Sequence, residues 1–131
     1  VICLDAEAVG PWVCERAGGA WVPGRGTAIG WVNKGKLVAG VIFEDFNGAN
    51  ILAHMAGEGN FLKRQFLHFI FWYPFKQLQA KRVTLPIAST NEKAIRFVEH
   101  LGFEHEATLR DAHPSGDLVL YKMTSDQCRW I

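Results

Sequence analysis

A surplus of charge of either sign is missing from this chain. Its 14 Lys and Arg face 13 Asp and Glu over 131 residues, a formal charge of +1. Binding nucleic acid by neutralising phosphates needs a basic surplus, so that partner class is set aside and only a local basic patch stays open. Long hydrophobic runs are missing too. The greasiest stretch, Phe69 to Phe75, is seven residues and contains Pro74, whereas a spanning helix needs about 20. The apolar start meets Asp5 and Glu7 too soon for a secretory signal, so no membrane partner is expected. Cysteine is sparse. Cys3, Cys14 and Cys128 are widely spaced, without a C-x-x-C pair. An odd, scattered set points to free thiols in a reducing compartment, and hence to a cytoplasmic protein. Repeats, low-complexity segments and linkers are absent as well. The length suits one domain, residues 1–131, burying roughly two-thirds of the surface its unfolded chain exposes.

What is present alternates between strand and helix signals. Ile2 to Leu4 reads as a short edge strand. Asp5 is an N-cap candidate for a helix to Arg16 that Pro11 should kink or divide. Gly18-Gly19 ends it, and a Gly- and Pro-rich loop follows to Gly26. Thr27 to Val32 and Leu37 to Phe43 flank the hairpin signal Asn33-Lys34-Gly35-Lys36. Asn47-Gly48 reads as a second hairpin turn, because both residues tolerate positive φ. Asn50 to Ala56 completes a three-stranded meander. A helix from Phe61 to Tyr73 is apolar over most of its circumference and should be deeply buried. Val83 to Ala88 is a strand, so residues 50–88 form a β-α-β unit with parallel strands and a right-handed crossover. Leu118 to Met123 is the last strand, reached through a hairpin over Asp111 to Asp117. The fold class is α+β, a mixed and mostly antiparallel sheet with one β-α-β junction.

The stretch from Ser89 to Arg110 is the most informative. Ser89-x-x-Glu92 fits a capping box, with Asn91 a competing N-cap. Ala94, Ile95, Phe97, Val98 and Leu101 recur at helical spacing. Burying the larger four at roughly 1.5–3 kcal/mol each would dominate this helix's stability. Gly102 suits the left-handed position after the helix, with Phe103 as the apolar contact beyond it. A strand running through Ser-Thr-Asn into a helix start also exposes amide donors where an anion or polar cofactor can sit.

Asn91-x-x-Ala94, Leu101-Gly102-Phe103-x-x-Glu106-x-x-Leu109-Arg110 and the later Gly116-Asp117 and Tyr121-x-Met123 together resemble the C-terminal signature of the GNAT superfamily, the acyl-CoA-dependent N-acyltransferases. The likeness is nearest to the branch that acetylates protein N-terminal amines, and it extends to small phage-encoded members. The signature covers about Val83 to Met123; the element order extends it over nearly the whole chain. The resemblance implies a GNAT-like fold and acetyl-CoA as cosubstrate, seated where the fourth and fifth strands splay apart. The implied cofactor contacts are the backbone of Met55, Ala56 and Gly57, then Gly59, Asn60, Lys63 and Arg64 at the following helix start, and Asn91. No metal is implied, and His100 and His105 lack the spacing of a zinc site.

Two departures from the family pattern stand out. The phosphate loop lacks its leading Gln or Arg and carries Glu58. The position of the general-acid Tyr, seven residues after Asn91, is Val98, which leaves water, Ser or Tyr121 to protonate the leaving thiolate. His54 and Glu58 are the candidate bases. The implied reaction is direct attack of a neutral amine on the thioester. At neutral pH a lysine amine with pKa about 10.4 is neutral in roughly 1 of 2,500 molecules, and an α-amine near 7.8 in roughly one of seven. Weak acid–base equipment therefore suits an α-amino or small-molecule amine as acceptor. The same departures keep an alternative open, a catalytically inactive GNAT-like binding or assembly protein. Trp12, Trp21 and Trp31 fit core packing or a homodimer contact equally well. Lys76, Lys81 and Arg82 read as a solvated helix end. The first 26 residues are shorter than the family's usual two-helix arrangement.

Overall fold

The computed structural model describes residues 1–59, 61 and 63–131. Seven strands form one sheet in the order β1-β2-β3-β4-β5-β7-β6. They are β1 Ile2–Cys3, β2 Gly26–Asn33, β3 Lys36–Glu44, β4 Asn50–Gly57, β5 Arg82–Ala88, β6 Glu104–His113 and β7 Gly116–Thr124, with helices α1 Ala6–Ala17, α2 Arg64–Trp72 and α3 Glu92–Leu101. Every strand pair is antiparallel except β4 with β5. The mixed sheet and the parallel junction therefore match the expectation from sequence.

Side-chain alternation along the strands splits the interior into two clusters. Ile29, Val41, Phe43, Ile51, Ala53, Val83 and Leu85 pack with Phe66, Phe71, Val98 and Leu101 of α2 and α3. Ala28 and Ile42 pack with Val9 and Val13 of α1. Helix α1 starts at Asp5, whose carboxylate accepts from the Glu7 N–H. It continues through Pro11 rather than dividing there. An interior Pro costs about 3 kcal/mol, and fully burying Val9 and Val13 returns roughly 1.5–3 kcal/mol each. Gly30 and Gly40 permit that burial, because a Cβ at either would stand 2.7 Å from a methyl of Val9 or Val13.

The β2–β3 hairpin turns on Lys34 and Gly35, both at positive φ, as a two-residue loop. The β3–β4 connection differs from the expected tight Asn47-Gly48 turn. It spans residues 45–49, with positive φ at Asp45 and Gly48, and the Asn47 side chain accepts from the N–H groups of Ala49 and Asn50. An Asx side chain replaces a backbone turn here.

Helix α2 is shorter than its apolar run, because Pro74 diverts the chain into a π turn over Tyr73–Gln77. One side of α2 also reaches the surface: Trp72 is 41% exposed. Asn91, not Ser89, caps α3, accepting from the Ala94 N–H at 3.2 Å. At the other end the Phe103 N–H returns to the Val98 carbonyl and the Gly102 N–H to Glu99, with Gly102 at φ +108. That is a Schellman closure.

The tryptophans belong to the protein's own packing, Trp12 and Trp21 beside the α1 cluster and Trp31 against Phe66. Arg82 is not a solvated helix end. It forms a two-pronged pair with Glu106 of β6, at 2.9 and 2.6 Å, which holds the Glu106 carboxyl below its usual range. Among the described residues, no helix is long and apolar enough to cross a membrane.

Candidate active site

β4 and β5 are hydrogen-bonded neighbours only at Asn50↔Arg82, Ile51↔Val83 and Leu52↔Thr84. The zipped end is pinned by the Thr84 hydroxyl, which donates to the Asn50 side chain at 2.6 Å. Beyond it the strands part. Pro86 has no N–H to offer a neighbour, and the β5-facing backbone groups of residues 53–57 have no strand partner among the described residues. Unpaired backbone polar groups persist only where water or a ligand can meet them.

The opening is a wedge of ≈ 330 Å³, lined by Ala53, His54 and Met55 on one side and Leu85 to Ala88 on the other. Val98 and Phe97 of α3 close one face, and Gly18 and Gly19 after α1 border the other. A second compartment of ≈ 260 Å³ shares Met55, Asn91, Ala94 and Phe97 with the wedge and runs on to Gly57 and Phe61. Together they make one groove leading toward the start of α2.

That helix start is electropositive. Lys63 occupies the N-cap without a side-chain hydrogen bond, so the N–H groups of the first turn keep no cap from within the helix. Lys63 and Arg64 are both exposed there. Gly59 holds φ +66 in the preceding loop, and a Cβ at Gly57 would meet the Phe61 ring at 2.4 Å. Met55 and Ala56 sit on the free edge of β4, and both line the groove. Asn91 spends its side-chain oxygen on capping α3, which leaves its amide NH₂ as a donor at the groove. Asn60 lies outside the described residues.

The two candidate bases part company. His54 lies on the wedge, with Nε2 3.0 Å from Glu44 Oε1. Glu58 is exposed, and Arg16 Nε donates to its carboxylate. Arg16 itself lies over the Trp12 ring, 3.8 Å from the centroid. Glu58 is thus turned toward α1 and neutralised there, so it does not oppose an anion at the α2 start. Neither compartment's lining includes Glu58.

Tyr121 also lies off both linings. It is buried, and its hydroxyl donates to Glu99 at 3.1 Å. Burial first, and then that hydrogen bond, push its phenol above the usual range. Val98 does line the wedge, where it offers no proton. Sequence reasoning missed Glu44, Arg16 and His113. His113, at the end of β6, reaches the wedge with Nδ1 held by the Ser115 hydroxyl at 2.9 Å. The available signal for Glu44 was its strand parity with His54 across the β3–β4 loop.

The sequence profile of the acetyltransferase (GNAT) domain matches residues 49–117, from the start of β4 into β7 and more than half of the chain. The chain belongs to the GNAT acetyltransferase family. It is an acetyl-CoA-dependent N-acetyltransferase domain, and its groove lies within the matched segment except for Leu118 and the wall given by α1 and the two glycines after it. A mutant form of the spermidine N-acetyltransferase of Vibrio cholerae has the same fold, with TM-score 0.67 at 17% identity over 78% of this chain and 67% of that one. A GNAT-family acetyltransferase of Bacillus anthracis gives 0.64 at 14% identity, over 78% and 67%. A probable acetyltransferase gives 0.64 at 21%, over 78% and 63%. The chain thus spans 63–67% of the length of these three proteins. No protein of curated function matches it in sequence.

Proposed function

We propose that this GNAT domain moves the acetyl group of acetyl-CoA to an α-amino or small-molecule amine by direct attack. The observation that supports the reading best is the parting of β4 and β5 after Leu52 and Thr84, with bare backbone along the gap. The free edge at Met55 to Gly57 suits the amide groups of a pantetheine arm, and the Asn91 amide stands beside it. The start of α2, where Lys63 brings no side-chain cap, suits the pyrophosphate together with Gly59 and Arg64. Asn60 belongs to the same proposed cofactor loop.

His54 takes the proton of the amine, since Arg16 occupies the competing Glu58. The proton held by the imidazole is then available to the departing thiolate, in a site where Val98 replaces the family's phenol. The reading of an α-amine, including a protein N-terminus, rests on the larger neutral fraction of such amines. A homodimer is compatible with it and is not required by the groove.

Adding acetyl-CoA at a hundredfold excess over Kd should stabilise the protein by about 2.7 kcal/mol, read as a rise in Tm. A Tm indifferent to millimolar acetyl-CoA would overturn the reading. Binding without turnover on any amine would instead favour a catalytically inactive binding or assembly module, for which Val98 is the supporting observation. Arg64→Ala should weaken acetyl-CoA by about 1.5–3 kcal/mol if its guanidinium meets the pyrophosphate. Titration calorimetry reads this directly, and unchanged affinity removes that contact alone.

A further inference from the structure

We propose that a third cavity, on the α1 side of the sheet, is the acceptor subsite, that it takes a small primary amine, and that Glu44 is the positioning residue for His54. The proposal rests on the acetyltransferase reading above. Acyl transfer without a covalent enzyme intermediate needs two seats that meet at the reacting atoms. The long groove toward α2 is the donor's seat. The third cavity, of ≈ 190 Å³, shares only Gly18, Gly19 and His54 with the wedge. Among the described residues, His54 is therefore the one titratable side chain common to both.

Register places the dyad. Ile42 lies opposite His54 and Glu44 opposite Leu52, so Glu44 and His54 are diagonal neighbours on the α1 face of β3 and β4. An ionised carboxylate can only accept, so Nε2 of the neutral imidazole carries the hydrogen and Nδ1 keeps the lone pair. Glu44 thereby selects the tautomer and orients the ring. Its other oxygen, Oε2, stands 3.6 Å from Arg25 Nε, an ion-pair distance too long for a hydrogen bond. That oxygen has no hydrogen-bond donor among the described residues, and it can receive an ammonium.

Size and wall chemistry limit the guest. At ≈ 190 Å³ the cavity is smaller than either compartment of the donor groove. Gly18 and Gly19, at φ +91 and +88, supply a wall without side chains. Trp21 supplies an apolar wall; its indole N–H donates to Glu7 and its ring lies over Gly10. Cys14 also lines the cavity, but burial first and Glu44 second push its thiol up, so it stays protonated and unreactive. A slender primary amine fits these walls.

The step balances. The ammonium docks at Glu44 Oε2 and loses one proton through His54 to solvent. The neutral nitrogen bonds to the thioester carbonyl carbon and sheds its second proton to Nδ1. The C–S bond breaks, its electron pair stays on sulfur, and sulfur takes that second proton. The products are an N-substituted acetamide and a thiol.

The charged and titratable groups around His54 are Glu44 of β3, Arg25 and Asp45 beyond it, Cys14 of α1, and His113 across the wedge. Steady-state kinetics of the full chain, with acetyl-CoA and a series of small primary amines, tests the proposal. Glu44→Gln keeps the shape of the side chain but removes the carboxylate that orients His54 and receives the ammonium. It should cut kcat at least about tenfold and raise the amine KM, with acetyl-CoA affinity unchanged. Ala20→Trp, at an exposed wall of the same cavity, should raise the amine KM and spare acetyl-CoA binding. Should Glu44→Gln fail to fold, Ala20→Trp carries the test. If the wild type acetylates small amines, both variants keep its amine KM and Glu44→Gln keeps its kcat, this proposal falls and the acetyltransferase reading stands. Acetylation of peptide N-termini alone, with small amines untouched, overturns the substrate class. Failure to bind acetyl-CoA at all overturns both.

Discussion

Replacing His54 with Gln is expected to lower kcat by about 10²-fold or more at neutral pH, because a positioned base contributes about 10²–10⁴-fold. The side chain is half-buried on β4, at the junction of the wedge and the cavity behind it. Gln keeps a polar group of similar reach and can still bond Glu44, but it cannot take a proton. Acetyl-CoA affinity should hold, since the groups proposed for the cofactor are backbone, Asn91 and the α2 start. The pH dependence carries the sign. Below the amine's pKa the acceptor is mostly ammonium, and the missing base costs most. Above it the acceptor is already neutral, so the defect should narrow as pH rises. Stopped assays across that range, with acetyl-CoA binding measured separately, give the split. A variant as fast as wild type at neutral pH would remove His54 from the chemistry.

Phe71→Ala is expected to destabilise the fold by about 3–5 kcal/mol, the range for removing a buried aromatic. Phe71 is 2% exposed. It packs against Phe103, just beyond α3, with ring centroids 6.0 Å apart, and stacks on Trp130 at 6.4 Å and 15°. It therefore ties the crossover helix to the end of the helix that closes the groove. Domains of this size are stable by about 5–15 kcal/mol, so the loss takes a large share of the margin. Urea unfolding should show a lower midpoint at an unchanged m-value. Saturating acetyl-CoA should restore part of the loss by mass action. A loss below about 1 kcal/mol, typical of surface changes, would mean that α2 is not anchored by this contact.

Local chemistry made much of this legible. Lys34-Gly35, the Gly102 closure and the Asn91 cap are short-range events, decided by residues within one turn of each other. The β-α-β unit was legible because 25 or so residues between two apolar strands leave a helical crossover as the ordinary solution. The groove followed from the resemblance, although a residue-level cue was present in Pro86, which cannot complete a ladder. Expectations about local structure gave way at two points, the division of α1 at Pro11 to tertiary packing and the tight Asn47-Gly48 turn to a local side-chain bond. Pro11 stays inside α1 because Val9 and Val13 are held against Gly30 and Gly40. Asn47 serves the β3–β4 loop through its side chain rather than through a positive φ.

The choice between the two bases was out of reach of sequence. Glu58 stands four residues after His54, and nothing local says that Arg16, more than forty residues earlier, turns it away. Nor does anything local pair Glu44 with His54. Their approach depends on the register of β3 against β4 across a five-residue loop, and a shift by one residue would send His54 to the opposite face.

The order of strands and helices, the caps and the family signature were thus set by neighbours along the chain, where spacing and propensity act directly. The parting of β4 from β5, the direction of Glu58 and the joining of Glu44 to His54 were decided only in three dimensions. These depend on contacts between residues far apart in sequence, and such contacts exist only once the sheet has its register and α1 has its seat.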